Sequence, residues 1–179
     1  MRIASGHLRG RPIAAPTGNA TRPTTDRTRA AIFDALAARM EFDDAHALDL
    51  FAGTGALGFE ALSRGALSCT FVETAPAALH VLRSNARTLG VEDACTIVRA
   101  DVAAFLARAS GPPYALVLAD PPYTLPALAT LPARVLPHVA PVGYFVLEHD
   151  ARHGFADHPG LVSTRAYGST IVSLFERPD

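Results

Sequence analysis

Apolar residues follow two alternating periods along most of this chain. Short apolar runs that suit strands lie at 47–51, 67–73, 95–99, 114–119 and 142–148, and stretches with helical spacing separate them at 56–64, 75–89 and 102–109. Ahead of these, Ile32, Phe33, Leu36 and Met40 share one face of a helix predicted over 26–40. Thr25 is placed to cap it, and Asp26 sits in the first turn, where a carboxylate suits the helix dipole. The stretch 125–138 carries Pro126, Pro132 and Pro137, so any helix there is short or broken. Two final runs, 161–166 and 169–176, flank Tyr167-Gly168 and read as strands joined by a tight turn, while residues 2–15 alternate weakly and turn at Gly10, which suits a short hairpin. Strand–helix alternation of this kind implies an α/β domain built on a parallel sheet with helices on both faces, here ending in an antiparallel hairpin. The expected organisation is a basic arm over 1–23 and one domain over 24–179.

The chain has 179 residues, 49% of them apolar, which supports one well-buried core. It contains no run of 18 uncharged apolar residues and no signal-peptide h-region, so a soluble, cytoplasmic protein without a membrane partner is expected. Cys69 and Cys95 form no CxxC pattern and are expected to pack as small apolar side chains. Charge is divided unevenly. Residues 1–30 hold six arginines (Arg2, Arg9, Arg11, Arg22, Arg27, Arg29) against Asp26, a balance of +5, whereas the remainder carries −6. Arginine forks pair bidentately with phosphate oxygens, so a basic arm on an acidic body reads as a nucleic-acid contact, with a solvated charged tail as the plainer alternative.

The first predicted strand ends Asp49-Leu50-Phe51 and enters Ala52-Gly53-Thr54-Gly55, with Gly58 completing a GxGxxG spacing and Glu73 twenty positions after Gly53. A dinucleotide fits that pattern as well as any other nucleoside ligand. The acids favour one cofactor. Asp49, near the end of an apolar strand, suits the ammonium of an amino acid; Glu73 can accept from both ribose hydroxyls; Asp101 can receive an adenine amino group, although capping the helix at Val102 explains it equally well. Together they describe S-adenosylmethionine better than a nicotinamide dinucleotide, and the candidate cofactor contacts are Asp49, Phe51, Ala52, Gly53, Thr54, Gly55, Glu73, Asp101 and Val102.

The fourth strand delivers Asp120-Pro121-Pro122-Tyr123 to the carboxyl edge of the sheet, where doubly wound folds bind ligands. A base amino nitrogen is a poor nucleophile because its lone pair is delocalised. The Asp120 carboxylate and the Pro121 carbonyl can each accept one of its N–H groups, the prolines hold those acceptors still, and Tyr123 offers a face for stacking the base. Methylation of a ring carbon would call for a cysteine nucleophile, and neither cysteine sits in a suitable loop. His149, His153 and His158 fall in an expected surface loop without an acid at metal-site spacing, so no metal is expected. The outline is that of a class I, Rossmann-like S-adenosylmethionine-dependent methyltransferase fold with a seven-stranded, mostly parallel sheet.

With these residues identified, the sequence resembles the RsmD family of small-subunit ribosomal RNA guanine-N2 methyltransferases. The resemblance rests on Arg2-Ile3, Gly6, Arg9-Gly10-Arg11, Arg22-Pro23-Thr24, Asp26 to Arg29, the run from Asp49 to Ala66, Phe71-Val72-Glu73, the DPPY at Asp120, and Tyr167-Gly168. It implies methylation of guanine N2 in 16S ribosomal RNA or the small subunit by a monomeric enzyme, with Asp120 to Tyr123 holding the guanine. It further implies that the arm from Arg2 to Arg29 meets RNA; Arg2, His7, Arg9, Arg11, Arg22, Thr24 and Arg27 are its candidate contacts. The rivals are a DNA adenine-N6 or cytosine-N4 methyltransferase, for which a chain this short has no room for a separate sequence-reading domain, a protein-glutamine methyltransferase, which would call for Asn at position 120, and a non-catalytic nucleotide-binding module.

Overall fold

Seven strands form one sheet in the order β3-β2-β1-β4-β5-β7-β6. They are β1 (His46–Leu50), β2 (Ser68–Glu73), β3 (Cys95–Arg99), β4 (Tyr114–Ala119), β5 (Val139–His149), β6 (Leu161–Tyr167) and β7 (Thr170–Glu176). The structure is a computed structural model that describes residues 1–15 and 25–178. β1 to β5 run parallel, and β7 inserts antiparallel between β5 and β6. This is the class I methyltransferase arrangement. Among the described residues, no helix is long and apolar enough to cross a membrane.

The helices divide between the two faces of the sheet. On one side α1 (Asp26–Ala37), α2 (Ala56–Ser63) and α3 (Pro76–Leu89) pack on Ala47, Cys69, Phe71, Leu116 and Leu118; on the other, α4 (Val102–Arg108) and α5 (Leu131–Val135) cover Leu48, Leu50, Val72, Val117 and Phe145. Alternation of consecutive residues between the two cores follows from the strand period and explains why the strands read as continuous apolar runs. α2 lies so close to β2 that a Cβ on Gly58 would fall 2.3 Å from Phe71 and 2.7 Å from Cys69 Sγ. Cys69 is buried as expected, whereas Cys95 is only half-buried.

Thr25 caps α1 by accepting from Thr28 N at 3.1 Å. The helix ends at Ala37, short of the expected Met40, because the Leu36 carbonyl takes both the Arg39 and the Met40 N–H. The proline-rich stretch splits into α5 and two flanking single 3₁₀ turns. β5 begins at Val139 rather than Val142: its pairing with β4 shifts register between Tyr114 and Leu116, and Val142 stands out of the sheet at φ 56°.

The N-terminal segment departs further from expectation. It is no two-stranded hairpin but a loop closed by a single bridge between Arg2 and Pro12, and it drives Ile3, Leu8 and Ile13 into the core beside α1 and α2. Underneath lies a buried polar network. Glu60 accepts from Ala4 N at 2.8 Å, Ser5 N at 3.0 Å, Arg29 Nε at 3.3 Å and Arg64 Nε at 3.1 Å. Ser63 accepts from Leu8 N at 3.0 Å and donates to the Ser5 carbonyl, while its own carbonyl takes His7 N at 2.8 Å. Arg29, read from the sequence as one of the arm's cations, is instead fully buried, paired with Glu60 and Asp26, and donates to the Arg2 carbonyl.

Removing Glu60 strands a buried guanidinium and two arm amides. Glu60→Ala is expected to destabilise the fold by about 3–5 kcal/mol in urea denaturation. Asp34, 70% exposed where it meets Arg64, serves as the control, and Asp34→Ala is expected to cost about 0–1 kcal/mol.

Candidate active site

Strand registers bring the predicted acids together. Leu50 of β1 pairs with Val72 on one side and with Ala119 on the other, so Glu73 and Asp120, each one residue further along, flank Phe51 as the chain leaves β1. Strand order reverses between β1 and β4, which opens the crevice at that rim. Asp49 lies one step back in β1, 1% exposed, and accepts from Gly58 N at 2.9 Å. Burial pushes its carboxyl well above the usual carboxylate range; the Gly58 amide opposes this, and the Asp120 and Glu73 charges add to it. Such a rim favours a cation.

The turn between β1 and α2 is wound against ordinary preferences. Phe51 has φ 59°, Gly53 φ 55° and Gly55 φ 83°, and a Cβ on Gly55 would fall 2.4 Å from Leu82 and 2.5 Å from Phe59. A left-handed phenylalanine is costly and survives only where its surroundings fix it. Glu73 does much of the fixing: one oxygen accepts from Gly53 N at 2.8 Å, and the other accepts from Thr74 N at 2.7 Å and Ala75 N at 2.8 Å. Thr54 is tied through its carbonyl to Asn85 Nδ2 at 3.0 Å. Ala52 is buried, with its N–H on the Val72 carbonyl at 3.0 Å. Asp101 caps α4 by accepting from Ala104 N at 3.0 Å, and Val102 is buried behind it.

In the tetrapeptide, Pro121 is buried, Pro122 exposed, and Asp120 and Tyr123 half-buried. The Pro122 carbonyl closes a turn by accepting from Leu125 N at 2.8 Å. The Tyr123 hydroxyl donates to Thr170 Oγ1 at 3.4 Å, and its carbonyl accepts from the Arg152 guanidinium at 3.3 Å. Burial, with help from the Asp120, Glu148 and Asp150 charges and against the Thr170 bond, raises the Tyr123 hydroxyl pKa.

The predicted RNA contacts are placed unevenly. Arg2, His7, Arg9, Arg11 and Arg27 lie on the surface, with His7 Nδ1 within 3.0 Å of the Ser63 carbonyl and Arg11 on the Thr88 carbonyl, while Arg22 and Thr24 lie outside the described residues. The three histidines do packing work instead of gathering. His149 belongs to β5, stacks edge-on against Phe155 and meets Ser173 Oγ at 2.8 Å; His158 packs on Phe175; His153 pairs with Asp150. His149 is thus not in a surface loop. Among the described residues, no group of three or more His, Cys, Asp or Glu side chains could hold a metal ion.

Asn85 was not singled out from the sequence. Buried on α3, it grips Ala14 through both amide groups, accepting from Ala14 N at 2.9 Å and donating to the Ala14 carbonyl at 3.1 Å, while also donating to Thr54. One side chain thus joins the arm to the glycine loop. Its signal in the sequence is faint: a single Asn on the apolar face of a helix.

Known proteins are similar to this chain over nearly its whole length. The family model described as Conserved hypothetical protein 95 matches residues 1–176. YlbH of Bacillus subtilis (strain 168) is 37% identical over 99% of each chain. Ribosomal RNA small subunit methyltransferase D of Escherichia coli (strain K12) is 42% identical over 69% of this chain and 60% of its own length. Among solved structures, the hypothetical protein TTHA0928 of Thermus thermophilus superposes with TM-score 0.86 at 33% identity, over 98% of this chain and 99% of that one. An RNA methyltransferase from Salinibacter ruber, solved in complex with S-adenosyl-L-homocysteine, shares the fold at TM-score 0.68 and 20% identity, over 88% of this chain and 95% of that one. The chain belongs to the Conserved hypothetical protein 95 family, the RsmD family of ribosomal RNA methyltransferases.

Proposed function

We propose that this protein transfers a methyl group from S-adenosylmethionine to the exocyclic N2 of a guanine in 16S ribosomal RNA, free or within the small subunit. The observation that carries the reading is the meeting of Asp49, Glu73 and Asp120 at the carboxyl rim between β1 and β4, with Asp49 so buried that its charge calls for a cationic partner. The donor fits that demand. When bound, it supplies an activated methyl group on a sulfonium.

Each element of the chain has a share in the chemistry. Asp49 would hold the donor's ammonium, and the main chain from Phe51 to Gly55, wound through positive φ at Phe51, Gly53 and Gly55, would lie against its amino-acid part. Glu73 spends three acceptor positions on the loop, which leaves room on the carboxylate for a ribose hydroxyl. Asp101 would face the adenine with its free oxygen, beside Val102. Asp120 and the Pro121 carbonyl would accept the two N–H groups of the guanine amine, holding the nitrogen lone pair toward the methyl. Charge developing on that nitrogen is stabilised by acceptors already in place. Pro122 fixes the turn, and Tyr123 would stack on the flipped base.

The arm would steer RNA onto this rim. Its arginines Arg2, Arg9, Arg11, Arg22 and Arg27, with His7 and Thr24, would meet phosphates and sugars and carry no sequence information themselves. Because the described part of the arm is bound to Glu60, Ser63 and Asn85, the cations reach RNA from a preset position and less ordering is needed on binding.

Asp120→Ala is expected to lower methyl transfer to 16S RNA by about 10²–10³-fold while calorimetric affinity for S-adenosylmethionine stays within a few-fold; full activity would remove Asp120 from the mechanism. The raised Asp49 pKa gives a pH signature. Free protein keeps the proton above the usual carboxylate range, the ammonium favours the ionised form, and binding therefore expels a proton, so affinity rises with pH until the free protein has itself lost that proton. Calorimetry in two buffers of different ionisation enthalpy should register that release, and Asp49→Asn should lose it along with affinity. Replacing Arg9 and Arg11 together with alanine should reduce the salt slope of RNA binding by about 1–2; an unchanged slope would take the arm out of the interface.

A further inference from the structure

Tyr123 is gripped from two directions by residues outside the tetrapeptide. Its hydroxyl reaches Thr170 Oγ1 at the start of β7, 3.4 Å away, and its carbonyl accepts from Arg152, 3.3 Å away, in the segment between β5 and β6. Arg152 is itself aimed. Its Nε and its terminal nitrogen lie 2.7 and 2.6 Å from Asp150 Oδ2, and Asp150 Oδ1 takes the Arg152 N–H at 3.1 Å and lies 3.2 Å from His153 Nδ1. The Arg152 hydrogen bonds hold the Asp150 carboxyl down at about 2. The root of the segment is also fixed. His149, 1% exposed at the end of β5, directs Nδ1 at the Asp150 carbonyl (2.9 Å) and Nε2 at Ser173 Oγ of β7 (2.8 Å). Since a carbonyl only accepts, Nδ1 carries the proton, and Ser173 donates to Nε2 in the neutral ring.

A continuous run of contacts thus leads from the buried end of β5 through Asp150 and Arg152 to the Tyr123 backbone, and β7 meets the hydroxyl of the same residue. An ion pair as open to solvent on its arginine side as Arg152–Asp150 contributes little to stability, so its consequence is directional. Half-buried, Tyr123 is thus fixed at its main-chain carbonyl by Arg152 and at the tip of its ring by Thr170 before any ligand arrives.

We propose that Arg152 and Thr170 are positioning residues that pre-orient Tyr123 as the stacking surface for the extruded base, with Asp150 aiming Arg152. This deepens the reading of the chain as a base methyltransferase and rests on it. Arginine is needed because one guanidinium serves the Asp150 carboxylate and the Tyr123 carbonyl together, whereas the compact ammonium of lysine reaches them less well at once. A surface that holds the base equally in the ground and transition states lowers KM for RNA and leaves kcat alone.

Two measurements on the full-length protein test this, and neither depends on the other. With 3-fluorotyrosine at the chain's four tyrosines, and the Tyr123 signal assigned through Tyr123→Phe, Arg152→Ala and Thr170→Val should each move that ¹⁹F resonance toward the free-tyrosine position. If both leave it where the wild type has it, the proposal is overturned, whatever the protein methylates. In methyl transfer to undermethylated 16S RNA, Arg152→Ala and Thr170→Val should each raise KM for RNA by about three- to tenfold, with kcat within about twofold and KM for S-adenosylmethionine unchanged. Arg152→Lys should recover only part of the loss. Thr170 carries no charge, so an unchanged KM in Thr170→Val combined with full rescue by Arg152→Lys would make Arg152 a plain phosphate contact and overturn the proposal. A wild-type protein inactive on every RNA would instead defeat the base-methyltransferase reading, leaving the ¹⁹F result to decide the clamp.

Discussion

A carboxylate buried within a parallel sheet, with two more at the ends of the neighbouring strands two residues further along, is the constraint around which this molecule is arranged. Asp49 is shut away from water, and the neighbouring charges of Asp120 and Glu73 make its ionisation harder still. The fold tolerates the cluster by spending backbone amides on it: Gly58 donates to Asp49, while Gly53, Thr74 and Ala75 donate to Glu73. Those same bonds hold the loop through its left-handed turn at Phe51, Gly53 and Gly55. Acidity and loop geometry are therefore one feature. A bound cation relieves the first and lies against the second, and a sulfonium amino acid attached to a nucleoside meets both requirements.

The second organising feature is the polar underside of the arm. α2 is apolar toward the sheet but carries Glu60 and Ser63 on its outer side, and the arm covers them with its own amides. Burying such groups is tolerable only because each finds partners. In return residues 1–15 of the arm acquire a fixed path, and Arg2, Arg9 and Arg11 stand in set places over the same layer of helices that frames the glycine loop. Asn85 makes the connection literal by bonding both Ala14 and Thr54. RNA recognition and donor binding, as proposed, share one piece of rigid structure.

Much of the fold was legible because parallel strands buried on both faces write continuous apolar runs, and the run at 114–119 coincides with β4; the half-exposed edge strand β3 also falls where it was expected, at 95–99. The proline spacing foretold the broken segment around α5 for a local steric reason. What could not be read were pairings between distant residues. Arg29 looked like one more cation of the arm, and only the fold sets it against Glu60, 31 residues away. Glu60 and Asn85 have the polarity of surface residues, and nothing local announces that the arm will cover one and tie to the other. The meeting of Asp49, Glu73 and Asp120 in the candidate site was legible because strand ends in an alternating α/β chain share a rim by topology. The wall of that site was not, since the grip of Arg152 and Thr170 on Tyr123 depends on how β7 inserts between β5 and β6.

The central claim is that a donor socket and a base socket adjoin across Asp49 and Asp120. A crystal structure of the protein with S-adenosylmethionine or its demethylated product tests this most directly. The account requires the ligand's ammonium on Asp49, its ribose at Glu73, and its sulfur facing the opening bordered by Asp120 and Tyr123. A ligand seated elsewhere, or one whose sulfur is turned away from Asp120, would contradict it.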